Sequence, residues 1–200
     1  NANVIQGEIS VADSNLIKKL RNLATSTAST NNLKLGVGAF SDMETTVVAN
    51  GHPNAETTLA IANTGYTVDG IAPTLTSYTL NMATKLLSMT FAETVEPAIV
   101  PAKFLLVDSV GTAVALGASS TSSTIGTVID IAIDDLNADD VKLDTDISAN
   151  EANTFLSIEA GAISDAAGNP IEAVDSQVVA IGGFQRDNLP PVLSSVAVNM

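Results

Sequence analysis

Along residues 125–133 the apolar side chains fall on alternate positions. Ile125, Thr127, Ile129, Ile131 and Ile133 lie on one side, and Gly126, Val128, Asp130, Ala132 and Asp134 on the other. Successive residues of a strand point to opposite faces, so this alternation predicts a strand with one face in a core and one toward water. Leu87, Met89 and Phe91 form a second such stripe. Further strands are expected at Leu75–Met82, Phe104–Asp108, Ala113–Leu116, Phe155–Ala162 and Gln177–Ile181, each bounded by Gly, Pro, Asn, Asp or Ser. About seven short strands without long helices between them predict an all-β sandwich rather than a parallel α/β sheet. One segment departs from period two. Leu16, Ile17, Leu20 and Leu23 follow helical spacing behind the candidate N-caps Asp13 and Ser14, which predicts a short helix. A helical turn near Asn137–Leu143 is expected to bridge the two sheets.

The pattern also repeats. Asp69-Gly-Ile-Ala-Pro-Thr-Leu-Thr-Ser-Tyr-Thr-Leu-Asn-Met82 aligns without gaps to Asp187-Asn-Leu-Pro-Pro-Val-Leu-Ser-Ser-Val-Ala-Val-Asn-Met200, an offset of 118 residues. Leu33-Lys-Leu-Gly-Val-Gly-Ala-Phe-Ser-Asp42 aligns to Leu156-Ser-Ile-Glu-Ala-Gly-Ala-Ile-Ser-Asp165 at an offset of 123, the extra residues falling around Gly51 to Glu56. A unit of about 120 residues is the size of one β-sandwich domain. The expected domains are therefore 1–68, the C-terminal part of one repeat; 69–187, a complete repeat; and 188–200, the first strand of the next. Starting and stopping in mid-repeat suggests a window on a longer polypeptide. The alternative is donor-strand exchange, in which the tail completes a neighbouring subunit.

Composition narrows the function classes. Asp and Glu number 22 against 8 Lys and Arg, a formal net charge of -14. Nucleic acid and anionic membrane surfaces would repel such a chain, whereas a cation would find many oxygen ligands. Cysteine is absent, which removes disulfides, thiolate metal sites and a cysteine nucleophile. The longest uncharged stretch, Ser109 to Ile129, is broken by glycines and a Ser/Thr cluster and makes a poor bilayer span.

Three features of residues 69–187, in this order, resemble bacterial immunoglobulin-like surface domains of the S-layer and large-adhesin kind. Asp69-Gly-Ile-Ala-Pro73 is similar to that family's acidic-then-proline linker into the first strand, and Asp187-Asn-Leu-Pro-Pro191 repeats it. Met89-Thr-Phe-Ala-Glu-Thr-Val95 resembles its aromatic strand, with Ala92 and Thr94 departing from the pattern. Ile163-Ser-Asp-Ala-Ala-Gly-Asn-Pro-Ile171 resembles its Asp-x-x-Gly-Asn turn, in which Gly168 takes a positive φ and Asp165 bonds the turn's amides. The earlier copy, Asp42-Met-Glu-Thr-Thr46, lacks the Gly-Asn pair, so its hairpin must turn differently. The resemblance implies tandem immunoglobulin-like β-sandwiches with a short helix per repeat, serving as spacers, stalks or lattice elements.

Candidate sites are few. Asp130, Asp134 and Asp135 open an acidic run that continues through Asp139, Asp140, Asp144 and Asp146, and hard carboxylate oxygens are what Ca²⁺ requires. The spacing is not that of an EF-hand, and a solvated acidic surface is the plainer reading. The linker acids Asp69 and Asp187 are a second calcium candidate, since an ion between consecutive domains would stiffen a stalk; capping of a turn before proline is the alternative. His52, the only histidine, reads as a surface loop residue. Gly36 and Gly38 read as a turn or bulge, and Ala118-Ser-Ser-Thr-Ser-Ser-Thr124 as a loop between strands or a carrier of O-linked sugars. The expected protein is extracellular or at the cell surface, non-enzymatic and structural, with copies of itself or neighbouring repeats as partners, and with neither nucleic-acid binding nor membrane insertion. An adhesin module recognising a glycan or protein is the alternative; absence of Trp and only 5 Phe and 2 Tyr argue against carbohydrate stacking.

Overall fold

The computed structural model describes residues 6–20, 32–39, 54–61, 67–190, 192–193 and 195–197. The chain divides into two compact units, Asn1–Gly70 and Ile71–Met200.

In the first unit, helix α1 spans Val11–Lys19. Its N-cap is Ser10, whose hydroxyl accepts from the Asp13 amide at 3.1 Å and donates to the Asp13 carboxylate at 2.7 Å. This reciprocal bond starts the helix earlier than sequence spacing indicates and leaves Asp13 and Ser14, the expected caps, inside it. Leu23 lies outside the described residues. Strands β1 (Asn32–Leu35) and β2 (Thr57–Ala60) pair antiparallel, Leu33 facing Leu59. After β1 the chain turns through Gly38 at φ 75°, as the two glycines suggested, and the Ala39 amide donates to the Gly36 carbonyl at 3.3 Å. Asp42–Thr46 lie outside the described residues.

The second unit is all-β and sandwich-like. Its elements are β3 (Leu75–Asn81), β4 (Leu86–Val95), β5 (Phe104–Val107), β6 (Ala113–Ala115), β7 (Gly126–Ala132), helix α2 (Asp135–Leu143), β8 (Phe155–Ile158), β9 (Val174–Val178) and β10 (Phe184–Gln185). They form two four-stranded sheets, ordered β10-β3-β4-β7 and β6-β5-β8-β9. All neighbours run antiparallel except β10, which pairs parallel with β3.

The core is one cluster drawn from both sheets. Tyr78 and Leu80 come from β3, Leu87, Met89 and Phe91 from β4, Ile129 and Ile131 from β7, Phe104 and Leu106 from β5, and Leu156 and Ile158 from β8. The predicted stripes are the inward faces, because alternate residues of each strand share a side. Between the sheets the Tyr78 hydroxyl donates to the Thr154 carbonyl at 3.0 Å, and burial pushes its phenol pKa up.

Two expected strands change extent. The strand from Phe155 stops at Ile158 because Gly161, at φ 71°, turns the chain and the Ala162 amide bonds the Glu159 carbonyl at 3.2 Å. The last expected strand, Gln177–Ile181, falls instead at Val174–Val178. Past Val178 the chain leaves that sheet: the Ala180 amide donates to the Tyr78 carbonyl at 2.9 Å, and the Gly183 carbonyl accepts from Leu80 at 2.8 Å. Helix α2 follows β7 of one sheet and leads to β8 of the other, burying Ala138 and Val141.

The Ser/Thr run after β6 is a tied edge cover. Ser120 and Ala132 exchange backbone hydrogen bonds at 2.8 and 3.1 Å. The Thr121 hydroxyl donates to the Asp130 carbonyl at 2.6 Å, and the Ser123 hydroxyl accepts from the Asp130 amide at 2.8 Å. The outer edge of β7 is thereby closed to another strand over Asp130 and Ala132.

The two units share a pattern. Helices α1 and α2 have the same length, 9 residues, each behind a side-chain N-cap, Ser10 or Asp134. Asn32–Ala60 and Leu33–Leu59 pair as Phe155–Val178 and Leu156–Gln177 do, offset by 123 residues on one strand and 118 on the other. Beyond this β9 bulges, with Ser176 at φ 47°, and Ile158 meets Val174. Gly38 and Gly161 turn alike, at φ 75° and 71°. The environments differ: Leu156 is fully buried and Leu33 is 52% exposed. Leu156→Ala should accordingly cost about 3 kcal/mol in denaturant unfolding, through lost burial and a residual cavity. Leu33→Ala should cost less than about 1 kcal/mol, the range of surface positions.

Candidate functional site

Matching polar geometry follows the last described strand of each unit. In the second unit Lys142, on the last turn of α2, places its ammonium 2.7 Å from Asp187 Oδ2. The other oxygen, Oδ1, accepts from the Leu189 amide at 2.9 Å, closing a turn ahead of Pro190-Pro191. Lys142 and the Leu189 amide hold the Asp187 carboxyl below the usual carboxylate range. In the first unit Lys18 lies 2.6 Å from Asp69 Oδ2. Lys18 and Lys142 are both the eighth residue of their nine-residue helix, and Asp69 and Asp187 are the repeat-equivalent linker acids. One ion pair is thus built twice. A cation near a helix C-terminus is also favoured by the carbonyls exposed there.

Sequence reasoning missed these lysines, weighing the linker acids only as calcium ligands or turn caps. Lys18 and Lys142 each stand eight residues after the N-caps Ser10 and Asp134, an offset of 124 residues against 118 for the acids, so the sequence repeat by itself did not pair them.

The other candidate acids have separate partners. Asp134 caps α2, its carboxylate accepting from the Leu136 amide at 2.9 Å. Asp135 forms an ion pair with Lys85, which lies in the β3–β4 turn at φ 55°. Asp135 holds Lys85 above the usual lysine range, with smaller help from Asp139 and Asp187, and Lys85 holds Asp135 below the usual carboxylate range. Asp130 sits on β7, where its backbone grips the Ser/Thr run. The acidic run is therefore distributed over a strand, helix α2 and the turn that follows it. Around Lys142 and Asp187 lies an open hollow of about 390 Å³, lined also by Asp144, Ile147, Arg186 and Leu189.

Two further aspartates organise turns. Asp165 is 1% exposed and accepts from the Ala167 and Asn169 amides at 2.9 and 2.7 Å and from the Asn169 side chain at 2.8 Å. Gly168 beside it has φ 94°. This is the turn chemistry expected of Asp-x-x-Gly-Asn. Asp108 does the same between β5 and β6, accepting from Val110 at 2.9 Å and Thr112 at 2.7 Å. Burial raises its pKa, but these hydrogen bonds outweigh burial and hold it below the usual range. His52 lies outside the described residues.

Among the described residues no helix is long and apolar enough to cross a membrane. No protein-family model, curated protein or solved structure matches the chain.

The depressed Asp187 pKa sets a pH signature. A carboxylate whose folded pKa lies below its unfolded value contributes stability above the unfolded pKa, roughly 4, and loses it as pH falls through the folded one. Lys142→Met removes that contribution. Its melting temperature should fall below wild type at pH 7, and the gap should shrink with acid and vanish once Asp187 is protonated. Thermal melts across pH 2–7 check this.

Proposed function

We propose that this protein is a non-enzymatic structural component of an extracellular fibre, stalk or surface layer, built head to tail from β-sandwich units of the immunoglobulin-like surface-repeat kind. The observation that carries this reading is the recurrence of one half-unit at an interval of about 120 residues, with the same strand pairing and the same lysine–aspartate pair at its exit. A chain that repeats a half-unit and its exit geometry, rather than a pocket, has the organisation of an array, where stability accrues unit by unit. The motif resemblance in residues 69–187 and the Ser/Thr/Ala-rich, cysteine-free composition support the same reading.

In such an array the exit clamp has a mechanical role. Lys142 holds the start of the linker against α2 while Pro190 and Pro191 limit the conformations of the chain beyond them, so each unit directs its successor. Calcium would compete with an ammonium group already at Asp187. Millimolar Ca²⁺ should therefore shift the melting temperature less than Lys142→Met does; a larger upward shift would make the cation, rather than the lysine, the stiffening element.

Electron microscopy of native material tests the assembly reading. Ordered fibres or a lattice, with an axial repeat matching one or two sandwich units, are expected. Dispersed globular particles, or turnover of a glycan or peptide substrate by the purified chain, would overturn it.

A further inference from the structure

We infer that the larger unit is built to resist tension along the chain, through a shear clamp formed where its last strand, β10, runs parallel beside its first, β3. The use of such a clamp rests on the head-to-tail reading, and the clamp itself on strand geometry.

Strand β10 lies at the edge of its sheet and pairs with β3, Phe184 beside Leu80 and Gln185 beside Asn81. The bonding begins in the turn that precedes β10. The Ala180 amide donates to the Tyr78 carbonyl at 2.9 Å, the Leu80 amide to the Gly183 carbonyl at 2.8 Å and the Met82 amide to the Gln185 carbonyl at 2.8 Å. The Asn81 side-chain amide donates to the Gln185 side-chain oxygen at 2.7 Å. Gly183 permits this approach, since a Cβ there would lie 2.8 Å from the Ala180 carbonyl oxygen and 2.9 Å from the Thr79 methyl. Phe184 packs against the core and seats the strand.

Direction decides what this pairing does under load. The chain enters the sheets at the start of β3 and leaves them from the end of β10, so tension draws the two strands in opposite senses along their common axis. The bonds of a parallel ladder bridge the strands at even spacing, so those at Tyr78, Leu80 and Met82 share the force. Had the last strand run antiparallel to the first, both chain ends would leave from one end of the pair and its bonds would part in turn. On its other side β3 is held by β4, and ahead of it the Thr74 carbonyl accepts from the Ala92 amide at 3.0 Å. Once β10 slips, the force passes through the turn at Ala180–Gly183 to β9 in the other sheet. The clamp acts on the rate of forced unfolding rather than on equilibrium stability.

Single-molecule force spectroscopy on the full chain tests this, and because the sequence has no cysteine, paired introduced thiols define the pulling points. Ile71→Cys with Asn188→Cys draws β3 and β10 in opposite senses. Thr84→Cys with Asn188→Cys pulls from the end where Met82 meets Gln185 and peels the pair. All three positions are exposed. At equal loading rate the first geometry should rupture at a force at least roughly twice that of the second, because bonds that share a load fail together. Gly183→Ala, whose methyl pushes the segment off β3, should remove at least roughly half of that difference. Equal or lower rupture force in the first geometry overturns the inference, and this comparison stands whether or not Gly183→Ala folds. A Gly183→Ala chain that melts cooperatively and keeps the whole difference overturns it as well. Force on single chains does not depend on their assembly, so failure here is distinct from failure of the fibre reading, which microscopy decides.

Discussion

Burial of two sheet faces against each other is the interaction on which the larger unit depends. Neither sheet is stable alone, since each exposes an apolar face when separated. Strands β3, β4 and β7 bring Leu80, Leu87, Met89, Ile129 and Ile131, while β5 and β8 bring Phe104, Leu106, Leu156 and Ile158. A one-residue slip in any strand would turn its core residues outward, so this burial also sets register. The remaining devices serve it: the Tyr78–Thr154 bond between sheets, the glycine turn that ends β8, and the hydroxyl-bearing run that closes the β7 edge.

The same requirement explains the first unit. It carries the helix, strand pair and exit clamp of the larger one, yet its Leu33 and Leu59 remain more than half exposed. Local chemistry is enough to specify a capped helix, a hairpin-like pair and an ion pair, because the groups involved belong to that segment. It cannot supply the opposing sheet.

Electrostatics takes a secondary but directed part. With a net charge of -14 and only 8 basic residues, the position of each lysine matters. Lys18, Lys85 and Lys142 all face acids on helices or linkers, where they offset local repulsion. Exposed ion pairs are individually weak, so these pairs fix local geometry more than they stabilise the fold. The hydroxyls and amides around Asp108 and Asp165 are of a different kind: buried carboxylates consumed by turn amides, each tightening a connection at the sandwich.

The inward stripes of β4 and β7, the strand at Leu75, the Asp165 turn with its positive-φ glycine and the repeat itself were all legible from residue order, because each depends on neighbours within a few positions or on self-similarity. The true start of α1 was legible too, in Ser10 and Asp13, but lay hidden behind the more obvious apolar spacing. Three things were decided only by the folded chain. The last strand ends early because Ala180 and Gly183 cross to bond β3, a pairing about a hundred residues distant in sequence. The Ser/Thr run is an edge cover because β7 lies beside it. The linker acids face lysines because each helix end packs near its unit's exit. Sequence by itself determined which faces were apolar, where the chain could turn and what recurred; tertiary structure decided which partner met each face, since that depends on groups brought together only when distant segments share one core.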